Sequence, residues 1–219
     1  GTINLLQALA RSCNIYFYVL GDRLGIDQMA ETAGELGFGA STGLGLNGEV
    51  QGLVPTVEED KKEGAFQKGM ILNTAIGQGS VKLTLLQVAM AYAAIANGGR
   101  LWIPQLVSRV EDDGGKVVRA FPPQLRRRLP FSQEHLNMVR RSLYEAVYDP
   151  KGTSFAARVP GMEVAGKTGT AQVRNGRRQA GEGDEDADHA WFASFAPYED
   201  PKIAVVVLIE HGGFGAKAA

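Results

Sequence analysis

The sequence predicts an α+β fold in which an antiparallel sheet is sandwiched by helices. Three apolar strand patterns, at residues 164–173, 189–196 and 203–209, follow one another near the C-terminus and are joined by polar loops. Such connections favour antiparallel pairing, because a parallel pair needs a long crossover. The helical patterns come earlier in the chain, so we expect these helices to cover the faces of the sheet.

The composition is that of an ordinary globular domain. The chain has 219 residues, of which 44% are hydrophobic and 21% charged, and its net charge is −1. This balance predicts a packed core and no nucleic-acid partner. No apolar run approaches the roughly 18 residues of a membrane span. The only cysteine, Cys13, cannot form an internal disulfide, and the three histidines are too scattered for a metal site, so we expect no metal and no cofactor.

The first helical patterns flank a polar step. Apolar residues recur at helical spacing over 5–10 and again over 15–20, and residues 11–14 between them are polar. Asp27 is then expected to cap a short amphipathic helix that stops at Gly37.

A glycine-rich stretch at 37–55 contains two strings that resemble known motifs. Residues 39–43 fit G-x-S-x-G and residues 43–48 fit G-x-G-x-x-G. Each motif requires a strand before it and a helix after it. A helical pattern precedes them and an extended segment follows, so we predict a winding loop and no nucleophile elbow or dinucleotide site.

The middle of the chain alternates polar and apolar segments. Residues 56–69 are expected at the surface, and 71–79 is an apolar run that turns through two glycines. The capping-box pattern at 84–87 predicts the start of a helix over 85–96, which is apolar on nearly every face and therefore buried.

Two short strands and a long helix are predicted next. The strands cover 101–110 and 116–121, and the basic residues 126–128 are expected to form a solvated face. Ser132 is the expected N-cap of a strongly amphipathic helix. Farther along, the polar residues 175–188 are expected to form a loop between strands.

Two polar clusters carry the chemistry. Ser12 and Asn14 occupy the step between the first two helical runs, where they either cap the second helix or point together into a cleft. The second cluster is the run 167–170, Lys-Thr-Gly-Thr, inside a strand pattern. A bare glycine beside a cation and two hydroxyls suits the binding of a carboxylate along a strand edge, although the same residues also fit an edge strand with a solvated lysine.

Together the clusters resemble the S-x-N and K-T-G motifs of the penicillin-binding proteins and serine β-lactamases. The resemblance covers nearly the whole chain and is greatest to class B penicillin-binding proteins, in particular to the elongation transpeptidases of the penicillin-binding protein 2 group. The segments that carry it are 12–17, 48–52, 75–79, 93–99, 166–172 and 189–192.

The resemblance implies a D,D-transpeptidase that cross-links peptidoglycan stem peptides by serine acyl transfer and is a target of β-lactam antibiotics. Lys167 would attract the substrate carboxylate, and Thr168 and Thr170 would hydrogen-bond it. Gly169 would let the peptide lie close to the strand. The N–H of Thr170 would also be one donor of the oxyanion hole.

The resemblance also gives roles to the first cluster. Ser12 would relay a proton between the catalytic lysine and the leaving amine, and Asn14 would hold the substrate amide. The expected setting is the periplasm, in a protein anchored in the inner membrane by one helix. The expected partners are a glycosyltransferase and other proteins of the elongation complex.

One motif of the family is missing. The S-x-x-K motif supplies the nucleophile and the base, and none of the serines in this chain has a lysine three residues later. Because the motif precedes S-x-N in the family, we expect it before residue 1. The chain is then the C-terminal portion of one transpeptidase domain, with a truncated final helix, and is expected to be inactive alone.

Two alternatives remain open from the sequence. A serine β-lactamase or a β-lactam sensor shares these motifs but differs in how fast the acyl-enzyme is hydrolysed. A non-catalytic interaction module of the cell-wall machinery would explain the missing S-x-x-K motif.

Overall fold

A computed structural model describes residues 2–58, 61, 67–173 and 187–219 of the chain. Parts of the predicted surface segment at 56–69, and most of the predicted loop at 175–188, lie outside the described residues. The helices are α1 (Leu5–Ala10), α2 (Asn14–Leu24), α3 (Ile26–Glu35), α4 (Lys68–Ala75), α5 (Leu85–Ala96), α6 (Gln133–Tyr148) and α7 (Gly215–Ala218). The strands are β1 (Arg100–Trp102), β2 (Arg109–Glu111), β3 (Val117–Ala120), β4 (Leu125–Arg128), β5 (Ala165–Ala171), β6 (His189–Ala196) and β7 (Ile203–Ile209).

The largest sheet in the described part of the chain has the order β5-β6-β7 and is antiparallel throughout. Gly169 lies opposite Trp191 in β6, and Phe192 lies opposite Val207 in β7. The bounds of β6 and β7 coincide with the predicted apolar runs. The predicted α+β class with an antiparallel sheet is confirmed.

Helices contact both faces of this sheet. On one face, α5 and α6 pack against the strands through a buried cluster, which consists of Ala96, Leu143, Ala165 and Phe195. On the opposite face, the backbone N–H of Gly215 in α7 donates to the Thr170 hydroxyl over 3.2 Å. Val207 shares this second face and is 37% exposed. The second face is therefore covered less completely than the first.

Most of the predicted helix starts are confirmed. Thr84 and Gln87 form a reciprocal capping box at α5, and the Ser132 hydroxyl accepts the N–H of His135 at α6. The cap predicted at Asp27 is wrong. Gly25 has a φ of +79° and separates α2 from α3, so Asp27 lies in the first turn and accepts the N–H of Val57 instead. No helix among the described residues has both the length and the apolar character needed to cross a bilayer.

The predicted strand at 101–110 is wrong as a single element. It covers most of β1, which pairs with β4, and the first residues of β2, which pairs with β3. Pro104 lies between them and has no N–H to donate to a ladder. Two separate two-stranded sheets result.

The basic run at 126–128 is also not a free solvated face, because it forms the end of β4. The Arg126 guanidinium donates to the carbonyl of Ser41 over 2.7 Å. The Arg127 guanidinium contacts Glu35 at 3.1 Å and the carbonyl of Gly34 at 2.7 Å. Arginine side chains are long enough to reach such acceptors from a strand. A run of charged residues therefore does not by itself distinguish a solvated face from a strand in a sheet.

The glycine-rich loop is held against α5 by a buried side chain. Gln87 is 1% exposed, and its amide donates to the carbonyls of Ala40 and Gln51 over 2.9 and 2.7 Å. Residues 41–46 have no helix or strand. Neither motif-like string therefore has the strand-to-helix setting that its chemistry requires, as predicted.

Candidate functional site

The turn between α1 and α2 has an unusual backbone. Ser12 has a φ of +52°, a left-handed conformation that few residues other than glycine adopt. The residue that caps α2 is Cys13, and it makes no side-chain cap bond. The interpretation of Ser12 or Asn14 as a cap is therefore wrong. Both are exposed, and both line a cleft.

Contacts with the end of α6 hold this turn in place. The Arg11 guanidinium donates twice to Asp149, at 3.3 and 2.9 Å. A backbone hydrogen bond from Lys151, together with the contact from Arg11, holds the pKa of Asp149 below its ordinary value. The N–H of Thr153 donates to the carbonyl of Ala10 over 3.2 Å. The residues just before Ser12 are thus tied to the segment that follows α6.

That segment, residues 152–154, also contacts β5. A Cβ at Gly152 would lie 2.3 Å from the carbonyl oxygen of Ala146, so only glycine allows the segment to pack this closely on α6. Ser154 is 2% exposed, and its hydroxyl accepts the N–H of Thr168 over 3.0 Å. The segment therefore lies between α6 and the first residues of the Lys-Thr-Gly-Thr run.

Lys167 is a largely buried cation. Its ammonium donates to the hydroxyl of Thr153 over 2.9 Å and to the carbonyl of Thr168 over 2.8 Å. Burial lowers the pKa of Lys167 to about 8. These two hydrogen-bond partners are uncharged, so they do not neutralise the ammonium. An anionic ligand in the cleft would recover part of the electrostatic energy that burial costs.

The two polar clusters line one cleft of about 650 Å³. Its walls include all six residues predicted from the sequence: Ser12, Asn14, Lys167, Thr168, Gly169 and Thr170. Two further residues of the cleft, Thr153 and Gln78, were not predicted. Gln78 belongs to the segment 75–79 that carried part of the family resemblance, which was a usable signal. Thr153 had no signal of its own in the sequence.

The comparisons with known proteins agree with this geometry. The family model described as penicillin binding protein transpeptidase domain matches residues 1–219. The peptidoglycan D,D-transpeptidase MrdA of Acinetobacter baumannii is 36% identical over 228 residues, covering 100% of this chain and 33% of that protein. The chain thus spans about a third of the length of the curated relatives that it matches.

Solved structures of penicillin-binding proteins are also similar to this chain. The complex of penicillin-binding protein 2 with MreC from Helicobacter pylori has a TM-score of 0.81 and 33% identity, covering 99% of this chain and 38% of that one. Penicillin-binding protein 2 of Pseudomonas aeruginosa in complex with WCK 5153 has a TM-score of 0.80 and 32% identity, covering 100% of this chain and 47% of that one. With the family model matching from end to end, the chain belongs to the family of penicillin-binding protein transpeptidase domains.

Proposed function

We propose that the protein containing this chain is a peptidoglycan D,D-transpeptidase of the penicillin-binding protein 2 type, and that this chain supplies the carboxylate-binding part of the active site. The main support is the ammonium of Lys167, which is largely buried in an open cleft and hydrogen-bonded to neutral groups. A stem peptide that ends in D-Ala-D-Ala brings a carboxylate to this charge. The hydroxyl of Thr170 is a further donor at the same strand, and that of Thr168 becomes one when it turns from the carbonyl of Thr153 to the ligand.

The proposed reaction has two acyl-transfer steps. A serine hydroxyl attacks the carbonyl carbon between the two D-Ala residues, and its proton passes to a lysine base. The tetrahedral intermediate collapses, the C–N bond breaks, and the terminal D-Ala leaves as an amine that takes up a proton. The amine of a second stem peptide then attacks the ester and forms the cross-link, and the serine recovers its proton.

The residues of this chain act around those steps. The backbone N–H of Thr170 donates to the oxyanion, a contact whose loss costs about 10²–10³ in rate in a well-studied protease. Ser12 passes the proton between the base and the leaving amine, and Asn14 holds the amide of the donor peptide. The exposure of both side chains to the cleft supports these roles.

The nucleophile and the base are proposed to lie outside these 219 residues. None of the serines in the chain has a lysine three positions later, and the matched relatives are much longer than this chain. The inner-membrane anchor, the periplasmic location and a glycosyltransferase partner belong to the same proposal. MreC in the matched Helicobacter pylori complex supports a partner from the elongation machinery. β-Lactam antibiotics would acylate the same serine.

Labelling with a fluorescent penicillin tests the proposal. The full-length protein is expected to form a covalent adduct that survives denaturation, and the 219-residue chain alone is expected to form none. An adduct on the chain alone would show that the nucleophile lies within it. The absence of an adduct on the full-length protein would refute the transpeptidase and favour a non-catalytic interaction module, the alternative that the missing S-x-x-K motif supports. Rapid loss of the adduct would indicate a β-lactamase.

A further inference from the structure

The outer edge of β5 offers only part of its backbone for pairing. β5 is the first strand of the sheet, so one side pairs with β6 and the other borders the cleft. Backbone N–H groups alternate between the two sides of a strand. Because the N–H of Thr168 donates to Ser154, those of Thr170 and Gln172 also point away from β6.

The side chain of Gln78 occupies the far end of this edge. Its amide nitrogen donates to the carbonyl of Thr170 over 2.6 Å, and its amide oxygen accepts the N–H of Gln172 at 3.3 Å. Gly77 and Gly79, with φ of +72° and +75°, shape the turn that presents this side chain. One side-chain amide thus makes the two bonds that the N–H and C=O of a single residue in a neighbouring parallel strand would make.

These contacts determine how a peptide can pair along the edge. Ser154 occupies the N–H of Thr168, and Gln78 occupies the N–H of Gln172, so neither contacts the N–H of Thr170 between them. The carbonyl of Thr170 still has a second lone pair for a ligand, whereas the N–H of Gln172 has a single proton and is already used. Pairing is therefore open at Thr170 and closed at Gln172.

The position of the Lys167 ammonium determines in which direction a bound peptide runs along β5. A carboxylate held by Lys167 lies at one end of the edge, where Thr153 and Ser154 block further extension. The remainder of the peptide must then run toward Gln172, where Gln78 lies. On the basis of the proposed function, we infer that Gln78 is a specificity-determining residue. It ends the docking edge at Thr170, so that β5 does not bind the part of the donor peptide upstream of its terminal dipeptide.

The test uses two donors and the full-length protein. One donor is N-acetylated D-Ala-D-Ala, and the other carries three additional stem-peptide residues upstream. The measurement is the rate of D-Ala release at low substrate concentration, expressed as the ratio of long to short donor. Gln78→Ala is expected to raise this ratio about fivefold over the wild type, because one backbone hydrogen bond becomes available to the longer peptide.

Two further variants make the result specific. Gln78→Met keeps the bulk of the side chain but removes both hydrogen bonds, and it is expected to raise the ratio in the same direction. Gln105→Ala is the matched control, because Gln105 is an exposed glutamine whose amide donates to the carbonyl of Pro122 over 3.1 Å, outside the cleft lining. It is expected to leave the ratio unchanged.

The outcomes separate this inference from the function on which it rests. D-Ala release with the same ratio in the wild type, Gln78→Ala and Gln78→Met overturns the role of Gln78 and leaves the transpeptidase intact. A merely structural role would lower both rates together and leave the ratio constant, which overturns the inference in the same way. If the wild type releases no D-Ala from either donor, the proposed function and the inference both fail.

Discussion

The ammonium of Lys167 and the hydroxyl of Thr153 lie 2.9 Å apart, and this contact joins β5 to the segment that follows α6. Thr153 also donates its backbone N–H to the carbonyl of Ala10, which lies two positions before Ser12. Its carbonyl accepts the hydroxyl of Thr168 at 3.4 Å. Thr153 therefore joins the Lys-Thr-Gly-Thr run to the end of α1, just before Ser12.

The first prediction concerns this contact. Thr153→Val keeps the shape of the side chain but removes the acceptor for the Lys167 ammonium, so the lysine loses one of its orienting bonds. We expect the second-order rate constant for acylation of the full-length protein by penicillin to fall about tenfold. Thr153→Ser keeps the hydroxyl and should stay within about twofold of the wild type. Equal rates for the valine variant and the wild type would contradict the prediction.

The second prediction concerns pH and the stability of the 219-residue chain. The pKa of Lys167 is about 8 in the folded chain, against an ordinary value of 10.5. Between these pH values the unfolded chain holds a proton that the folded chain has released, so the free energy of unfolding rises with pH. The increase attributable to this group is at most about 3 kcal/mol, and it is complete above the unfolded pKa.

Urea denaturation between pH 7 and pH 11 measures this effect. Other groups titrate in the same range, so the relevant quantity is the difference between the wild type and Lys167→Met. That difference should grow from pH 8 to about 10.5 in favour of the wild type and stay constant below pH 8. A difference that does not change with pH would show that burial does not shift this pKa.

The third prediction compares two glycines of β5. A Cβ at Gly166 would lie 2.8 Å from both the carbonyl oxygen of Ala193 and the Cβ of Ser194, so Gly166→Ala should lower the free energy of unfolding by about 2 kcal/mol. At Gly169 the nearest atom would be the Cβ of Trp191 at 3.4 Å. Gly169→Ala should therefore stay within about 0.5 kcal/mol of the wild type.

The two alanine variants should differ in function as well. Because Gly169 lines the cleft, its added methyl group occupies space that the peptide needs, and acylation of the full-length protein should fall although the fold is retained. Urea denaturation and penicillin labelling of both variants measure the two effects. A stable Gly166→Ala variant, or an unchanged acylation rate for Gly169→Ala, would count against this account.

The fourth prediction concerns the glycine-rich loop. Gln87→Met leaves the carbonyls of Ala40 and Gln51 without their buried donor, and it should lower the free energy of unfolding by about 3 kcal/mol. Gln133 is the control, because it is exposed and its amide donates to the carbonyl of Gly98 over 3.0 Å. Gln133→Met should cost less than about 1 kcal/mol, because water can replace its bond. Similar losses for both variants, measured by urea denaturation, would contradict a special role for Gln87.

Sequence patterns were sufficient for much of the fold. Apolar runs predicted β6 and β7 with their observed bounds, and the cap patterns at Thr84 and Ser132 predicted the starts of α5 and α6. The patterns did not predict strands whose pairing depends on another part of the chain. The basic residues of β4 gave no strand signal, because their place in a sheet depends on β1, which is distant in the chain.

By itself, the sequence determined the periodic elements, the two polar clusters and the resemblance to the penicillin-binding proteins, because these depend on residue type and local spacing. Only the tertiary structure decided which side chains border the Lys-Thr-Gly-Thr strand. Gln78 reaches Thr170 across 92 positions, and the backbone of Thr153 reaches Ala10 across 143. Such contacts arise from the packing of α6 on β5 and from the position of the turn that follows α4. No repeat or local spacing records which distant backbone group a side chain will meet.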